Sequence, residues 1–185
     1  GINTGYGIYM ITSDNTLDGN EFYSNNANAI VAYGSHHVIK NNTIHDNGLR
    51  GGTNFGVSLG SSAYPLNSDG NMIQRNTIFG NNGGILVYTN ATNTQVTGNT
   101  VYGNKDEGIM VQYANGTAIT DNTVYGNGMD YLDLGTATLI AFIQGELARL
   151  QTSLAEPRGT MGRLSQDSAL TNALGDAKRE MGLLV

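Results

Sequence analysis

The sequence predicts an all-β chain: a single-stranded right-handed parallel β-helix of about five coils of 22–23 residues, with a C-terminal α-helical segment. Three observations carry that expectation. The first is a repeat. Gly98-Asn99-Thr100-Val101-Tyr102-Gly103-Asn104 returns as Asp121-Asn122-Thr123-Val124-Tyr125-Gly126-Asn127 and as Arg75-Asn76-Thr77-Ile78-Phe79-Gly80-Asn81. Looser copies are Asn41-Asn42-Thr43-Ile44-His45-Asp46-Asn47 and Gly19-Asn20-Glu21-Phe22-Tyr23-Ser24-Asn25. Their first asparagines lie 22, 34, 23 and 23 residues apart. A period of this size marks a stacked array, in which each unit buries its apolar face only against its neighbours. The second is alternation in short runs, as in Val96-Thr97-Gly98-Asn99-Thr100-Val101, which suits strands and not helical hairpins. The third is a change of composition after Gly128.

Taken in order, coil one covers roughly 5–26, with Ile8, Met10, Leu17 and Phe22 as inward candidates. Coil two, 27–48, points Ile30, Ala32, Ile39 and Ile44 inward. Coil three, 49–82, carries some twelve extra residues, placed in Leu49 to Asn54 and in Ser61 to Asp69 around Tyr64-Pro65. Coils four and five are 83–105 and 106–128. The repeat thus assigns 1–128 to coils and 129–185 to a helical cap or the start of another region. In that tail, Leu139, Ile140, Phe142, Ile143, Leu147, Leu150 and Leu154 follow a period near 3.6. Pro157 and Gly159 break the pattern, and Asp167 is the N-cap of a second candidate helix. The tail is expected to cap the open end of the β-helix, with self-association as the alternative.

Stacking the coils yields columns. Leu17, Ile39, Ile73, Val96 and Ile119 form one, and Phe22, Ile44, Ile78, Val101 and Val124 another; both are apolar and should face the core. Period 2 then turns Asn20, Asn42, Asn76, Asn99 and Asn122 inward as a ladder whose hydrogen bonds are met from coil to coil. The same alternation turns Tyr23, His45, Phe79, Tyr102 and Tyr125 outward as a surface aromatic stack.

Charged residues make up 13% of the 185 residues and the net charge is -6, so no basic face invites nucleic acid. No cysteine is present, which removes disulfides and thiolate metal sites. No apolar run is long enough to span a membrane. His36 and His37 are read as solvated turn residues, in register with Asp14-Asn15 and Asn93-Thr94. His45 is read first as a member of the aromatic stack. Beside Tyr23 and Asp46 it is also the weak candidate for a catalytic acid or base. The carboxylates Asp14, Asp18, Asp106 and Glu107 are scattered and form no pair at glycosidase separation. No motif calls for a metal or cofactor, and calcium is left open with no motif behind it. Tyr64, in an inserted loop, is a candidate sugar contact.

Ala29-Ile30-Val31-Ala32-Tyr33-Gly34 running into Asn41-Asn42-Thr43-Ile44-His45-Asp46-Asn47, then Val57-Ser58-Leu59, the Tyr64 loop and Asn76-Thr77-Ile78, resembles the C-terminal coils of the catalytic modules of secreted mannuronan C5-epimerases. The resemblance covers about 5–127. It implies an extracellular or cell-surface protein, an acidic polysaccharide partner of the alginate type, and proton removal at C5 of a uronate, epimerase- or lyase-like. It places Tyr64 where the family has a tyrosine in the substrate groove, and the groove is expected to be lined by Tyr64 together with Tyr23, His45, Tyr102 and Tyr125 of the outward column. The family's Asp-Pro-His-Glu signature is not in this chain, whose only prolines are Pro65 and Pro157; the expectation is that this motif belongs to coils before Gly1. The rival expectation is a non-catalytic structural β-helix: a surface adhesin, a spike shaft or a periplasmic binding protein.

Overall fold

The computed structural model describes residues 5–62 and 67–135. Coil one contributes β1 (Ile8–Met10), β2 (Thr16–Asp18) and β3 (Glu21–Tyr23). Coil two contributes β4 (Ile30–Ala32), β5 (Val38–Lys40) and β6 (Thr43–His45). Coil three adds β7 (Phe55–Leu59), β8 (Met72–Gln74) and β9 (Thr77–Phe79), and coil four β10 (Gly83–Val87), β11 (Gln95–Thr97) and β12 (Thr100–Tyr102). Coil five holds β13 (Glu107–Gln112), β14 (Ala118–Thr120) and β15 (Thr123–Tyr125), and β16 (Met129–Leu134) opens a further turn.

Like strands of successive coils pair in parallel. The first sheet runs β1-β4-β7-β10-β13-β16, the second β2-β5-β8-β11-β14 and the third β3-β6-β9-β12-β15. Register obeys the repeat: Leu17 pairs Ile39, Ile39 pairs Ile73, Ile73 pairs Val96 and Val96 pairs Ile119. In the third sheet the column is Phe22, Ile44, Ile78, Val101, Val124. Both apolar columns pack into one core with the inward residues of the first sheet, among them Ile30, Val57, Leu59, Ile85, Val87, Ile109 and Val111. The core is therefore an interior shared by all three sheets. The surplus of coil three lies between β6 and β7 and between β7 and β8, outside the ladders, so it leaves the stacking intact.

Every coil turns three corners of one design. A residue in the left-handed region precedes a polar residue that turns toward the interior. The corner residues are Asp14, His36, Gly70, Asn93 and Gly116 before the second sheet, Gly19, Asn41, Arg75, Gly98 and Asp121 between the second and third, and Ser24, Asp46, Gly80, Gly103 and Gly126 after the third. Their φ values run from 50 to 69°. This region is uncommon outside glycine, and Asn and Asp are enriched there, which explains much of this composition.

The polar residues after those corners form ladders. Asn42 shows the pattern. Its Oδ1 accepts from the Asn20 backbone N–H at 2.9 Å and from Asn20 Nδ2 at 3.2 Å. Its Nδ2 donates to the Leu17 carbonyl at 2.9 Å and to Asn76 Oδ1 at 3.0 Å. Two lone pairs and two N–H groups are all used. The pattern continues through Asn76, Asn99 and Asn122. A second ladder, which strand alternation did not predict, runs Asn25, Asn47, Asn81, Asn104, Asn127. It ends on Asp130, whose Oδ1 accepts from the Asn127 backbone N–H at 3.1 Å and from Nδ2 at 3.0 Å. The remaining corner column, Asn15, His37, Asn71, Thr94, Thr117, is mixed, and Thr94 Oγ1 and Thr117 Oγ1 are buried without a partner.

Small residues let the first sheet meet the third. A Cβ on Gly84 would stand 2.2 Å from the Gly108 carbonyl oxygen and 2.7 Å from Val101 Cγ1, so no larger residue fits there.

Two expectations change. Residues Met129–Leu134, assigned to the helical tail, form β16, which pairs with β13 through Ile109↔Tyr131 and Val111↔Asp133. Tyr131 packs on the core where its column neighbours are aliphatic, so the chain continues the first sheet without the asparagine-rich corner that marks the other coils. The expected helices from Ala137 onward lie outside the described residues. The second change concerns His37, which turns into the interior.

Replacing Asn76 by Ala removes a side chain that serves groups on both adjacent coils. Leaving such buried groups unmet costs roughly 1–3 kcal/mol each. Urea unfolding should therefore show a loss of about 3 kcal/mol or more, and a loss near that of an ordinary surface substitution would disprove the role given to the ladder.

Candidate functional site

The third sheet carries the outward column expected from the sequence. Tyr23, His45, Phe79, Tyr102 and Tyr125 occupy one register position on β3, β6, β9, β12 and β15. Strand spacing of about 4.8 Å sets their separation. The ring centroids lie 5.5, 5.0, 5.1 and 5.2 Å apart, with planes inclined by only 6, 5, 8 and 4°. Parallel strands repeat the same backbone frame, so the same rotamer at each level gives a coplanar stack. On the same outward face runs a second row, Glu21, Thr43, Thr77, Thr100 and Thr123.

His45 is the ionisable member within this wall. Its Nδ1 donates to Asp46 Oδ2 at 2.8 Å and its Nε2 to Glu21 Oε1 at 3.2 Å. Asp46 reaches the ring because it sits at a left-handed corner immediately after β6, and Glu21 reaches it from one coil away. The Asp46 hydrogen bond, helped by Glu21 and opposed by partial burial, pushes the His45 pKa above its ordinary value of 6.5. With both N–H groups donated, the imidazolium form is the one that the arrangement favours. The set of three then carries one net negative charge. Both ring N–H groups are engaged by carboxylates of the wall.

The stack also limits what the wall can touch. His45, Phe79 and Tyr102 have both ring faces covered by neighbours, leaving edges and the Tyr102 hydroxyl outward. Tyr23 and Tyr125, at the two ends, are 57% and 50% exposed. The wall thus presents hydroxyls and ring edges.

The other histidines separate. His36 is exposed, with Nδ1 3.5 Å from Asp14 Oδ1. His37 corrects the expectation of two solvated turn residues, since it has 0% exposure. The left-handed corner at His36 turns the next side chain inward, where His37 takes a ladder position. Its backbone N–H donates to Asn71 Oδ1 at 2.8 Å, and its Nδ1 accepts from the Asn15 backbone N–H at 3.3 Å. The proton therefore sits on Nε2, which has no partner. Burial, the dominant cause, lowers its pKa below 6.5 against the pull of Asp14.

The candidates Tyr23, His45, Tyr102 and Tyr125 thus share one face; of the expected ladder set, Asn42, Asn76, Asn99 and Asn122 are buried in the interior, whereas Asn20, in the first coil, is exposed and has a rung on one side alone. Tyr64 lies outside the described residues. Among the described residues no group of three His, Cys, Asp or Glu side chains is placed to hold a metal ion, and no helix is long and apolar enough to cross a membrane. Sequence reasoning missed a second aromatic group along the first sheet, in which Tyr9 meets Tyr6 at 5.5 Å and Tyr33 at 5.2 Å, and Tyr88 meets Tyr113 at 6.4 Å.

The two perturbed histidines give opposite pH slopes. For His45 the folded pKa is raised, so its contribution is complete below pH 6.5 and is lost as pH rises through the folded value. For His37 it is lowered, so the contribution is complete above pH 6.5 and is lost as pH falls through the folded value. Urea midpoints measured across that range should flatten on the alkaline side in His45→Gln and on the acid side in His37→Asn. Unaltered slopes in both variants would overturn the two assignments.

Neither a curated protein nor a solved structure matches this chain. A family model described as a right handed beta helix region matches residues 2–142. Three parallel sheets, continuous ladders and a match across three quarters of the sequence agree, and the chain belongs to the right-handed β-helix family.

Proposed function

We propose that this chain is part of an extracellular polysaccharide-modifying β-helix module that holds its polymer along the side of the solenoid. The supporting observation is the repeat of the third-sheet wall. One Thr hydroxyl and one aromatic edge recur per coil on β6, β9, β12 and β15, at a spacing close to the length of one sugar residue in an extended polymer. Such a wall matches a repeating partner unit for unit. His45, between Glu21 and Asp46, is the group on it suited to proton exchange near neutral pH. The resemblance to mannuronan epimerases makes a uronan the substrate of this reading, with epimerase- or lyase-like chemistry at C5 completed by residues beyond those described.

A second reading, a non-catalytic structural β-helix, draws on a different observation. The interior ring faces of the stack are consumed by one another, which stabilises the shaft and leaves little aromatic area for a ligand.

Calorimetry with alginate and pectate oligomers, with proton NMR of the same samples, separates the two. The module reading expects saturable binding that Thr100→Val and Tyr102→Phe both weaken, and turnover only where the missing chemistry is supplied. Absence of binding to any polysaccharide would leave the structural reading.

A further inference from the structure

The tyrosines of the first sheet differ from the third-sheet stack in geometry and in surroundings. Tyr9 lies on β1; Tyr33, Tyr88 and Tyr113 come directly after β4, β10 and β13, so the group tracks one edge of the sheet from coil to coil. The rings are not coplanar. Tyr6 and Tyr9 are inclined by 32°, Tyr9 and Tyr33 by 82°, and Tyr88 and Tyr113 by 58°. Inclined pairs cannot hide each other's faces as a coplanar stack does. Tyr6, Tyr9 and Tyr113 are 46, 39 and 64% exposed, and Ile11, two residues beyond Tyr9, is 55% exposed. Tyr113 also holds φ at +56°, a left-handed conformation costing a bulky residue roughly 1–2 kcal/mol. An exposed tyrosine gains little packing in return, and strain kept without a packing gain points to a contact made with something else.

The chemistry of the edge is uncharged. The residues that continue each strand are Ile11-Thr12-Ser13, Tyr33-Gly34-Ser35, Gly60-Ser61-Ser62, Tyr88-Thr89-Asn90 and Tyr113-Ala114-Asn115. Charge begins at the corner column beyond them, with Asp14 and Asp69 on either side of His36. Hydroxyls and amides interleaved with tilted aromatic faces suit a pyranose, which offers C–H faces to rings and hydroxyls to polar side chains. An acidic margin disfavours a polyanion and leaves a neutral sugar untouched.

We infer that the tyrosine edge of the first sheet, Tyr6, Tyr9, Tyr33, Tyr88 and Tyr113, is a contact surface for an uncharged polysaccharide lying across the coils. Tyr33 and Tyr88 stand two coils apart, about 10 Å at the strand spacing, so a polymer running along the axis reaches both ring groups. The inference rests on the reading of the chain as a polysaccharide-holding module and assigns that module a second wall and a neutral class of polymer.

The test is native gel electrophoresis of the full chain through gels containing galactomannan, hydroxyethyl cellulose or alginate. The wild type should be retarded by a neutral polymer, with Tyr9→Ala and Tyr113→Asn each weakening the apparent Kd about tenfold or more. Leu49→Ala, at an exposed position outside both aromatic groups, should leave that retardation intact. Asn tolerates the left-handed region, so Tyr113→Asn should keep or raise the thermal midpoint while losing affinity. Neutral-polymer binding untouched by both first-sheet variants, or weakened equally by Leu49→Ala, would overturn the assignment. Retardation by alginate alone would overturn it while sparing the module reading, and retardation by no polymer would overturn both.

Discussion

The structure depends on the buried asparagine amide. A primary amide has two donors and two acceptor sites, and a β-helix interior offers a use for all four at every level. The Oδ1 of each ladder residue accepts the backbone and side-chain N–H groups of the coil before, and Nδ2 reaches both a carbonyl of that coil and the Oδ1 of the next. No shorter or longer side chain does this at the strand spacing. An amide left unmet in the interior would cost free energy, so the ladder is stable only when each coil stands in one register on the last. Slippage by a single residue would break every rung at once and expose the apolar columns.

That register decides what the surface is. Because each coil repeats the same frame, the outward residue three beyond Asn20, Asn42, Asn76, Asn99 or Asn122 always falls on the same line, and a preference for aromatic side chains there becomes a continuous stack. The stack is a product of the interior. It also fixes the environment of His45, since Glu21 reaches its Nε2 only because β3 and β6 pair at Glu21↔Thr43. A charge held between two carboxylates on a solenoid wall is thus set by an amide ladder inside it.

The apolar columns, the ladder from Asn20 to Asn122 and the outward stack were legible in the sequence because each is a property of a single period. The second ladder was as regular, being the last residue of every copy of the repeat, from Asn25 to Asn127. It was not legible because strand alternation does not cross a corner: the left-handed residues Ser24, Asp46, Gly80, Gly103 and Gly126 reset the direction of the next side chain. The same reset separates His36 from His37, adjacent in the chain and opposite in fate. β16 was hidden by its composition, since Asp130 takes over from a ladder asparagine with a carboxylate oxygen that accepts the same two bonds. The first-sheet tyrosines were invisible for another reason. Tyr9, Tyr33, Tyr88 and Tyr113 fall on either side of the coil-three insertion, and the residue in register between Tyr33 and Tyr88 is Gly60, so no column of like residues marks them.

Charge bears on which wall a polymer would choose. Between residues 5 and 135 the Lys and Arg residues are Lys40, Arg50, Arg75 and Lys105, against ten carboxylates, so with histidine counted neutral the described coils carry a formal charge equal to the -6 of the whole chain. Lys40 is already turned to Asp18 at 3.3 Å. A uronan approaching the third-sheet wall meets the net negative set of Glu21, His45 and Asp46, a repulsion that physiological salt screens beyond about 8 Å but not at contact. Hydroxyl-rich neutral chains meet no such barrier on either wall. The first-sheet edge adds tilted ring faces where the third-sheet wall has already spent its own on stacking. Differences in electrostatics and ring geometry between two walls built on one register therefore make the tyrosine edge the better match of the two to a neutral glycan.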